Sequence, residues 1–147
     1  MPEDEPALTP DAPAVHGPWS ALLACALGGP IAAGVLLARN ERAFGRPERF
    51  RPWLIAGALA TLGLFALGAA LPDSFPHAPL PAVSSLAAYL AAAKLQGAPL
   101  RRHLERGGRR AGLLWALGTG LLFLALWLAV LLAAFFVLGA VKSSPAA

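Results

Sequence analysis

The chain has 147 residues, of which 57% are hydrophobic and 14% charged, and its mean hydropathy is +0.61. A soluble domain carries about 25% charged residues, and a soluble fold of this length has no interior large enough for so much apolar sequence. The net charge of +4 is therefore no sign of nucleic-acid binding, and we expect no nucleic-acid partner. A single cysteine excludes an internal disulfide.

The basic residues are concentrated in two stretches that each separate two apolar runs. Residues 39–51 hold five of the 12 Lys and Arg residues and residues 94–110 hold six, which leaves only Lys142. Cytoplasmic loops of membrane proteins carry an excess of Lys and Arg. This distribution predicts that both stretches lie on the cytoplasmic face of a membrane.

The chain begins with an acidic tail, residues 1–18, that is rich in Pro and Ala and has no Lys or Arg. Its low apolar content predicts disorder. The run that follows, Trp19 to Ala38, has 20 uncharged residues, which matches the roughly 20 residues needed to cross about 30 Å of hydrocarbon. We therefore expect it to form the first transmembrane helix.

Gly28, Gly29 and Pro30, followed by Gly34, interrupt this first run. Proline has no N–H and clashes with the preceding turn, so Pro30 is expected to kink the helix and free a backbone carbonyl. Freed carbonyls could bind an ion or a substrate. Alternatively, the glycines form a flat face for helix packing, which is the interpretation that we favour.

Three further apolar runs follow, at residues 53–71, 78–95 and 112–140, before a short tail at 142–147. The third is Ala-rich and only weakly apolar, but without its crossing the two basic stretches would lie on opposite faces, against the positive-inside rule. We therefore predict an all-α transmembrane domain over residues 19–141. Its architecture would be a four-helix bundle of two helical hairpins, with the N-terminus and the C-terminus both outside.

The arginines of the two basic stretches share their loops with aromatic residues, as expected for side chains at headgroup depth. An anionic leaflet would attract each of them. The expected partner is thus a bilayer with anionic headgroups, in addition to a possible protein partner or a second copy of the chain. The predicted membrane-surface residues are Arg39, Arg42, Arg46, Arg49, Arg51, Arg101, Arg102, Arg106, Arg109 and Arg110.

The polar segments offer no catalytic pattern. His16, His77 and His103 are far apart in the sequence, without a second His or Cys at ligand spacing. Asp73 and His77 could meet in the loop between the second and third runs, but no nucleophile lies nearby. We therefore predict no catalytic residue, no metal site and no cofactor.

Glycine-dominated motifs in both halves of the chain carry a family resemblance. They are Gly28-Gly29-Pro30-Ile31-Ala32-Ala33-Gly34, Ala38-Arg39-Asn40 and Gly45 in the first half, and Gln96-Gly97, His103-Leu104, Gly107-Gly108, Trp115 and Gly118 in the second. Over residues 19–140 the chain resembles an uncharacterised family of small bacterial multi-pass membrane proteins. The resemblance implies a location in the bacterial inner membrane and no established activity, substrate or cofactor.

Two functional hypotheses follow from the sequence. In the first, the protein is a non-catalytic accessory or scaffold component that acts through helix packing and through its basic cytoplasmic loops. In the second, it is a small homo-oligomeric carrier or channel that uses the Gly-Gly-Pro break in the first helix. The first hypothesis needs no polar site within the membrane, which agrees with the scarcity of charge in the apolar runs.

Overall fold

The structure, a computed structural model, describes residues 12–72, 74–76 and 78–143. Over these residues it is all-helical, as predicted. The elements are α1 (Pro18–Ala43), a 3-10 turn (Pro47–Arg49), α2 (Phe50–Ala70), α3 (Pro79–Glu105) and α4 (Leu113–Ser143). Residues 1–11 of the acidic tail, Asp73, His77 and residues 144–147 lie outside the described residues.

Helix α1 reverses direction at Gly29, where the backbone is not helical (φ 77°, ψ 179°). Residues 18–28 and 30–43 therefore form two half-helices joined by a tight turn. His16 and Asn40 demonstrate the reversal, because the His16 N–H donates to Asn40 Oδ1 at 2.7 Å. In a straight helix these residues would be about 36 Å apart. The expected kink is thus a complete turn, and α1 is a helical hairpin.

Pro30 is the first residue of the second half-helix, a position where its missing N–H leaves no hydrogen bond unmade. The N–H of the next residue, Ile31, donates to Thr61 Oγ1 on α2 at 3.0 Å. The Thr61 hydroxyl in turn donates to the Gly57 carbonyl at 2.8 Å. A neighbouring helix thus satisfies a backbone donor that the new helix start leaves open.

Small side chains hold the two halves of α1 together. Ala24 on the first half belongs to one buried cluster with Ala32 and Leu36 on the second. Ala21 and Leu37 form a similar contact nearer the ends of the hairpin. Alanine allows the close approach of two helix backbones. At 1.5 Å per residue the halves are about 16 and 21 Å long, so the hairpin reaches about halfway through a hydrocarbon core of about 30 Å.

The hairpin α1 forms the centre of the molecule, and α2, α3 and α4 each pack against it. The first helix packs on the second, as predicted, whereas the third and the fourth each pack on α1 and not closely on each other. Beyond the turn of α1, on the side away from His16 and Asn40, helices α2 and α4 approach each other. The ring centroids of Phe65 on α2 and Trp127 on α4 lie 4.9 Å apart there. The buried core is accordingly concentrated on α1.

Three helices have the length and apolar composition of a membrane span: Pro18–Ala43, Pro47–Ala70 and Leu113–Val137. The first of these folds back at Gly29, so its residues do not form one straight rod. The outer surfaces of α2 and α4 are largely apolar and exposed; Leu62 is 63% and Leu114 81% exposed. Exposed apolar surface on this scale indicates an integral membrane protein.

The third helix is continuous from Pro79 to Glu105 and passes through Pro99, ten residues beyond the apolar run that predicts it. It is not among the helices apolar enough to span by composition. Its buried residues include Ser85, Gln96 and His103. The weak hydropathy of this segment thus reflects polar side chains that face the hairpin.

The described part of the N-terminal segment lies beside the second basic stretch. The Val15 N–H donates to the Arg109 carbonyl at 3.0 Å, and the Ala111 N–H donates to the Val15 carbonyl at 2.9 Å. We use the name basic end for the end of the molecule where α1 begins and ends, α2 begins and α3 ends. Residues 12–17 therefore lie at the basic end, because the reversal of α1 returns the chain to its starting side. The prediction that the N-terminus lies outside concerns residues that are not among those described.

Candidate functional site

The residues expected at the helix break lie at the turn of α1 or close behind it, in tight backbone contacts. A Cβ atom on Gly28 would lie 2.7 Å from Phe123 Cβ and 2.8 Å from the Gly120 carbonyl oxygen of α4. A Cβ atom on Gly34 would lie 2.8 Å from the Trp53 carbonyl oxygen on α2. These glycines therefore permit the close approach of α1 to its two neighbours.

A buried polar cluster joins α1, α2 and α3 at the basic end. We call it the Glu41 cluster; its members are Asn40, Glu41, Arg46, Trp53 and Gln96. Asn40 and Glu41 are 1% exposed and Gln96 is 2% exposed. Buried polar groups are costly unless their hydrogen bonds are made, so the partners of each group decide what the cluster does.

One carboxylate oxygen, Glu41 Oε1, accepts two hydrogen bonds within this cluster. The Gln96 amide donates at 2.8 Å from α3, and the Trp53 indole N–H donates at 3.1 Å from α2. The other oxygen, Oε2, lies 2.8 Å from Arg46 Nη2. Glu41 thus neutralises one arginine of the first basic stretch and ties α2 and α3 to the hairpin.

Gln96 and Asn40 extend the network towards the N-terminal segment. The Gln96 amide also donates to the Leu37 carbonyl at 2.9 Å, while its Oε1 accepts from Asn40 Nδ2 at 2.9 Å. Asn40 Nδ2 donates to the His16 carbonyl at 2.8 Å, which complements the bond from the His16 N–H. Each amide therefore bonds two segments of the chain, and together they fix the start of α1 beside its end.

Sequence reasoning missed the Glu41 cluster, although one signal pointed to it. Asn40 and Gln96 are the only Asn and the only Gln in the chain, and each lies at the boundary between an apolar run and a basic stretch. Isolated amides at such positions are candidates for bonds between helices. Glu41 stands between arginines in the sequence, so the pattern around it is that of an ordinary loop.

The arginines predicted to lie at the membrane surface are gathered at the basic end, and three of them contact aromatic rings. The guanidinium of Arg42 lies 3.6 Å from the ring centroid of Phe50, and that of Arg39 lies 5.6 Å from the ring centroid of Trp115. Arg46 similarly lies 5.4 Å from Phe44 in addition to its ion pair with Glu41. The exposed members of the predicted set are Arg39, Arg42, Arg49, Arg51, Arg101, Arg102, Arg109 and Arg110.

Two polar cavities open at the basic end. One, of about 520 Å³, is lined by residues that include Arg46, Arg102 and His103. The second, of about 500 Å³, is lined by residues that include His16 and Arg109. Guanidinium groups in a concave site favour phosphate and carboxylate ligands. The arginines that line these cavities are therefore suited to bind anions.

Of the three histidines, His16 and His103 lie in the described part of the chain, on separate segments at the basic end. Burial, with a smaller contribution from the Arg39 charge, lowers the pKa of His16 from 6.5 to about 4, so its imidazole is neutral at pH 7. The His103 ring lies 5.9 Å from that of Phe44. Among the described residues no group of three or more His, Cys, Asp or Glu side chains is placed to hold a metal ion.

These observations define an all-helical protein with the apolar helices of an integral membrane protein, a central helical hairpin and an arginine-rich end. No protein family, curated protein or solved structure matches the chain. The resemblance to small bacterial membrane proteins stays a prediction from sequence motifs.

Proposed function

We propose that this protein is a multi-pass component of the bacterial cell membrane that acts without catalysis, as an accessory or scaffold subunit. Its helix surfaces would contact a partner, and its basic end would hold it at the cytoplasmic surface. The observation that carries the proposal is an open groove between α2 and α3. It has a volume of about 350 Å³ and is lined mostly by Gly and Ala, with Trp53 at one end.

The groove exists because α2 and α3 both pack on α1 and not closely on each other. Its floor is the second half of α1, including Ala33 and Gly34. In a membrane, small residues let helix backbones approach within van der Waals contact, which is a main source of helix association there. A transmembrane helix of a partner protein would fit this surface.

Orientation follows from the charge distribution. With the basic end in the cytoplasm, as the positive-inside rule favours, α2, α3 and α4 would cross the membrane while α1 enters and returns. Three crossings would place residues 12–17 in the cytoplasm and the end of α4 outside. This topology differs from the four crossings that the sequence predicts.

Reporter fusions test the topology. A fluorescent protein that matures only in the cytoplasm is expected to fluoresce when fused ahead of Met1 and to stay dark when fused after Ala147. The physical reason is the reversal at Gly29, which makes the number of crossings odd. A dark N-terminal fusion of normal abundance, with an alkaline phosphatase fusion active at the same site, would contradict this topology.

Affinity capture from detergent-solubilised membranes tests the accessory function. We expect one heterologous membrane protein in stoichiometric amount. The double variant Ala60→Leu and Ala87→Leu should lower its recovery about tenfold, because both side chains line the groove and overfilling a packed contact costs about 1 to 3 kcal/mol.

The matched control is Ala125→Leu with Ala129→Leu, at exposed positions on α4, which should retain the partner. Recovery of a pure homo-oligomer, or equal loss in both double variants, would contradict the proposal. The alternative, a small homo-oligomeric carrier or channel that uses the Gly-Gly-Pro break, stays a prediction from the sequence.

A further inference from the structure

One of the two polar cavities at the basic end lies between the N-terminal segment, α1 and the start of α4. We call it the Arg109 cavity; the residues that matter here are His16, Arg39, Arg109, Arg110 and Trp115. None of its three arginines makes an ion pair with a carboxylate in the described part of the chain. The cavity thus concentrates three positive charges without a counter-charge among the described residues.

A buried polar group in this cavity also lacks a partner. His16 is 6% exposed, and its Nδ1 atom makes no hydrogen bond within the described residues. The backbone of His16 is fixed by its two bonds to Asn40, so the residue is held beside the cavity. Buried ring nitrogens are normally hydrogen-bonded. An imidazole nitrogen held against a cationic cavity is suited to a ligand oxygen.

An apolar groove continues from the Arg109 cavity along α4. It has a volume of about 360 Å³ and is lined by Leu114, Gly118, Thr119 and Leu122, and it shares Arg39 and Trp115 with the cavity. Leu114 and Leu122 are eight residues apart, so the groove follows α4 for about 12 Å away from the basic end. A cationic site joined to an apolar channel parallel to a membrane helix matches an anionic amphiphile.

We propose that the Arg109 cavity binds the phosphate headgroup of an anionic membrane lipid, with one acyl chain lying in the groove from Leu114 to Leu122. This inference rests on the proposed location in a membrane. The arginines supply charge-assisted hydrogen bonds to phosphate oxygens, and Trp115 separates the headgroup from the chain. The apolar groove distinguishes a lipid from a free phosphate ion, which needs only the cavity.

Native mass spectrometry of the purified full chain in detergent tests the proposal, with phosphatidylglycerol, phosphatidylcholine and inorganic phosphate as probes. Phosphatidylglycerol is expected to give one retained adduct, bound about tenfold or more tightly than phosphatidylcholine, since the three arginines attract a headgroup with a net negative charge. Inorganic phosphate at the same concentration should neither bind nor compete.

Two variants separate the cavity from the groove. Arg109→Gln with Arg110→Gln should weaken phosphatidylglycerol binding about tenfold or more. Gly118→Leu should also weaken it, because a side chain there enters the groove, while a Cβ at this position meets no atom within 4 Å and the helix is undisturbed. The matched controls are Arg49→Gln with Arg51→Gln, which removes the same charge from exposed positions, and Gly68→Leu, another open glycine.

Equal loss of binding in the variant and control arginine pairs would overturn the proposal, because it would indicate general surface attraction. Competition by inorganic phosphate would overturn the lipid assignment. Binding that emerges only after Glu3, Asp4, Glu5 and Asp11 are changed to amides would also overturn it, because the chain's own tail would then occupy the cavity. Absent lipid binding in a protein that still captures its partner would leave the accessory function standing.

Discussion

Replacing Glu41 with leucine is expected to lower the free energy of unfolding by about 1 to 3 kcal/mol, the cost of leaving buried hydrogen-bond donors without their acceptor. The substitution leaves the Gln96 amide and the Trp53 indole without their shared acceptor, and it removes the carboxylate that pairs with the Arg46 guanidinium. Thermal unfolding in detergent measures the effect, and tryptophan fluorescence should reveal a changed Trp53 environment before unfolding.

Glu48→Leu is the matched control, because Glu48 is an exposed acid in the same stretch, and such surface changes alter stability by less than about 0.5 kcal/mol. Combining Glu41→Leu with Arg46→Met should recover part of the loss, since the unpaired cation is removed. If Glu41→Leu unfolded at the wild-type temperature, Glu41 would not join the helices as described.

Gly29→Ala should destabilise the protein by about 1 to 3 kcal/mol, because a backbone with φ 77° and ψ 179° lies in a region that is essentially restricted to glycine. No neighbouring atom lies within 4 Å of the added Cβ, so the penalty is one of conformation and not of packing. Unfolding in detergent should occur at a lower temperature, and the N-terminal segment should become more accessible to protease.

Gly118→Ala is the matched control, because it is not expected to lower the stability of the protein. Gly118 is helical and its added Cβ also meets no atom within 4 Å, so alanine should leave stability unchanged or raise it by about 0.5 to 1 kcal/mol. A Gly29→Ala variant as stable as Gly118→Ala would show that α1 does not need the reversal at this residue.

The sequence predicts the local structure well. Apolar runs without charge, at residues 53–71 and 112–140, are expected either to be buried or to face lipid. In the structure they form α2 and α4, whose apolar side chains are exposed. The two arginine-rich stretches and the aromatic residues beside them lie together at one end of the molecule, while their location at a membrane surface stays a prediction. These properties depend on composition within a short window, which a sequence displays directly.

The path of α1 could not be predicted in the same way. A run of apolar residues around Gly29 is compatible both with one straight span and with two half-helices, since composition and length are identical. The deciding interactions join residues that are distant in sequence, as in the bonds between His16 and Asn40 and between Asn40 and Gln96. A pattern of hydropathy contains no information about such pairs.

The position of residues 12–17 depends on this path of α1. Counting α1 as one crossing places His16 and Asn40 on opposite faces, whereas a reversal returns both to the basic end. The Arg109 cavity was equally hidden, because it is assembled from residues 13–16, Arg39 and residues 109–115. Those segments meet only after the hairpin has formed.

The bonds of Gln96 impose an order on the biogenesis of the molecule. The ribosome adds Gln96 55 residues after Glu41 and 59 after Leu37, both of which accept hydrogen bonds from its amide. Until α3 is made, the Glu41 carboxylate has only its partners from the first half of the chain, Arg46 and Trp53. A nascent chain that stops before residue 96 therefore lacks the bonds that join the hairpin to α3, and the Glu41 cluster is completed late in synthesis.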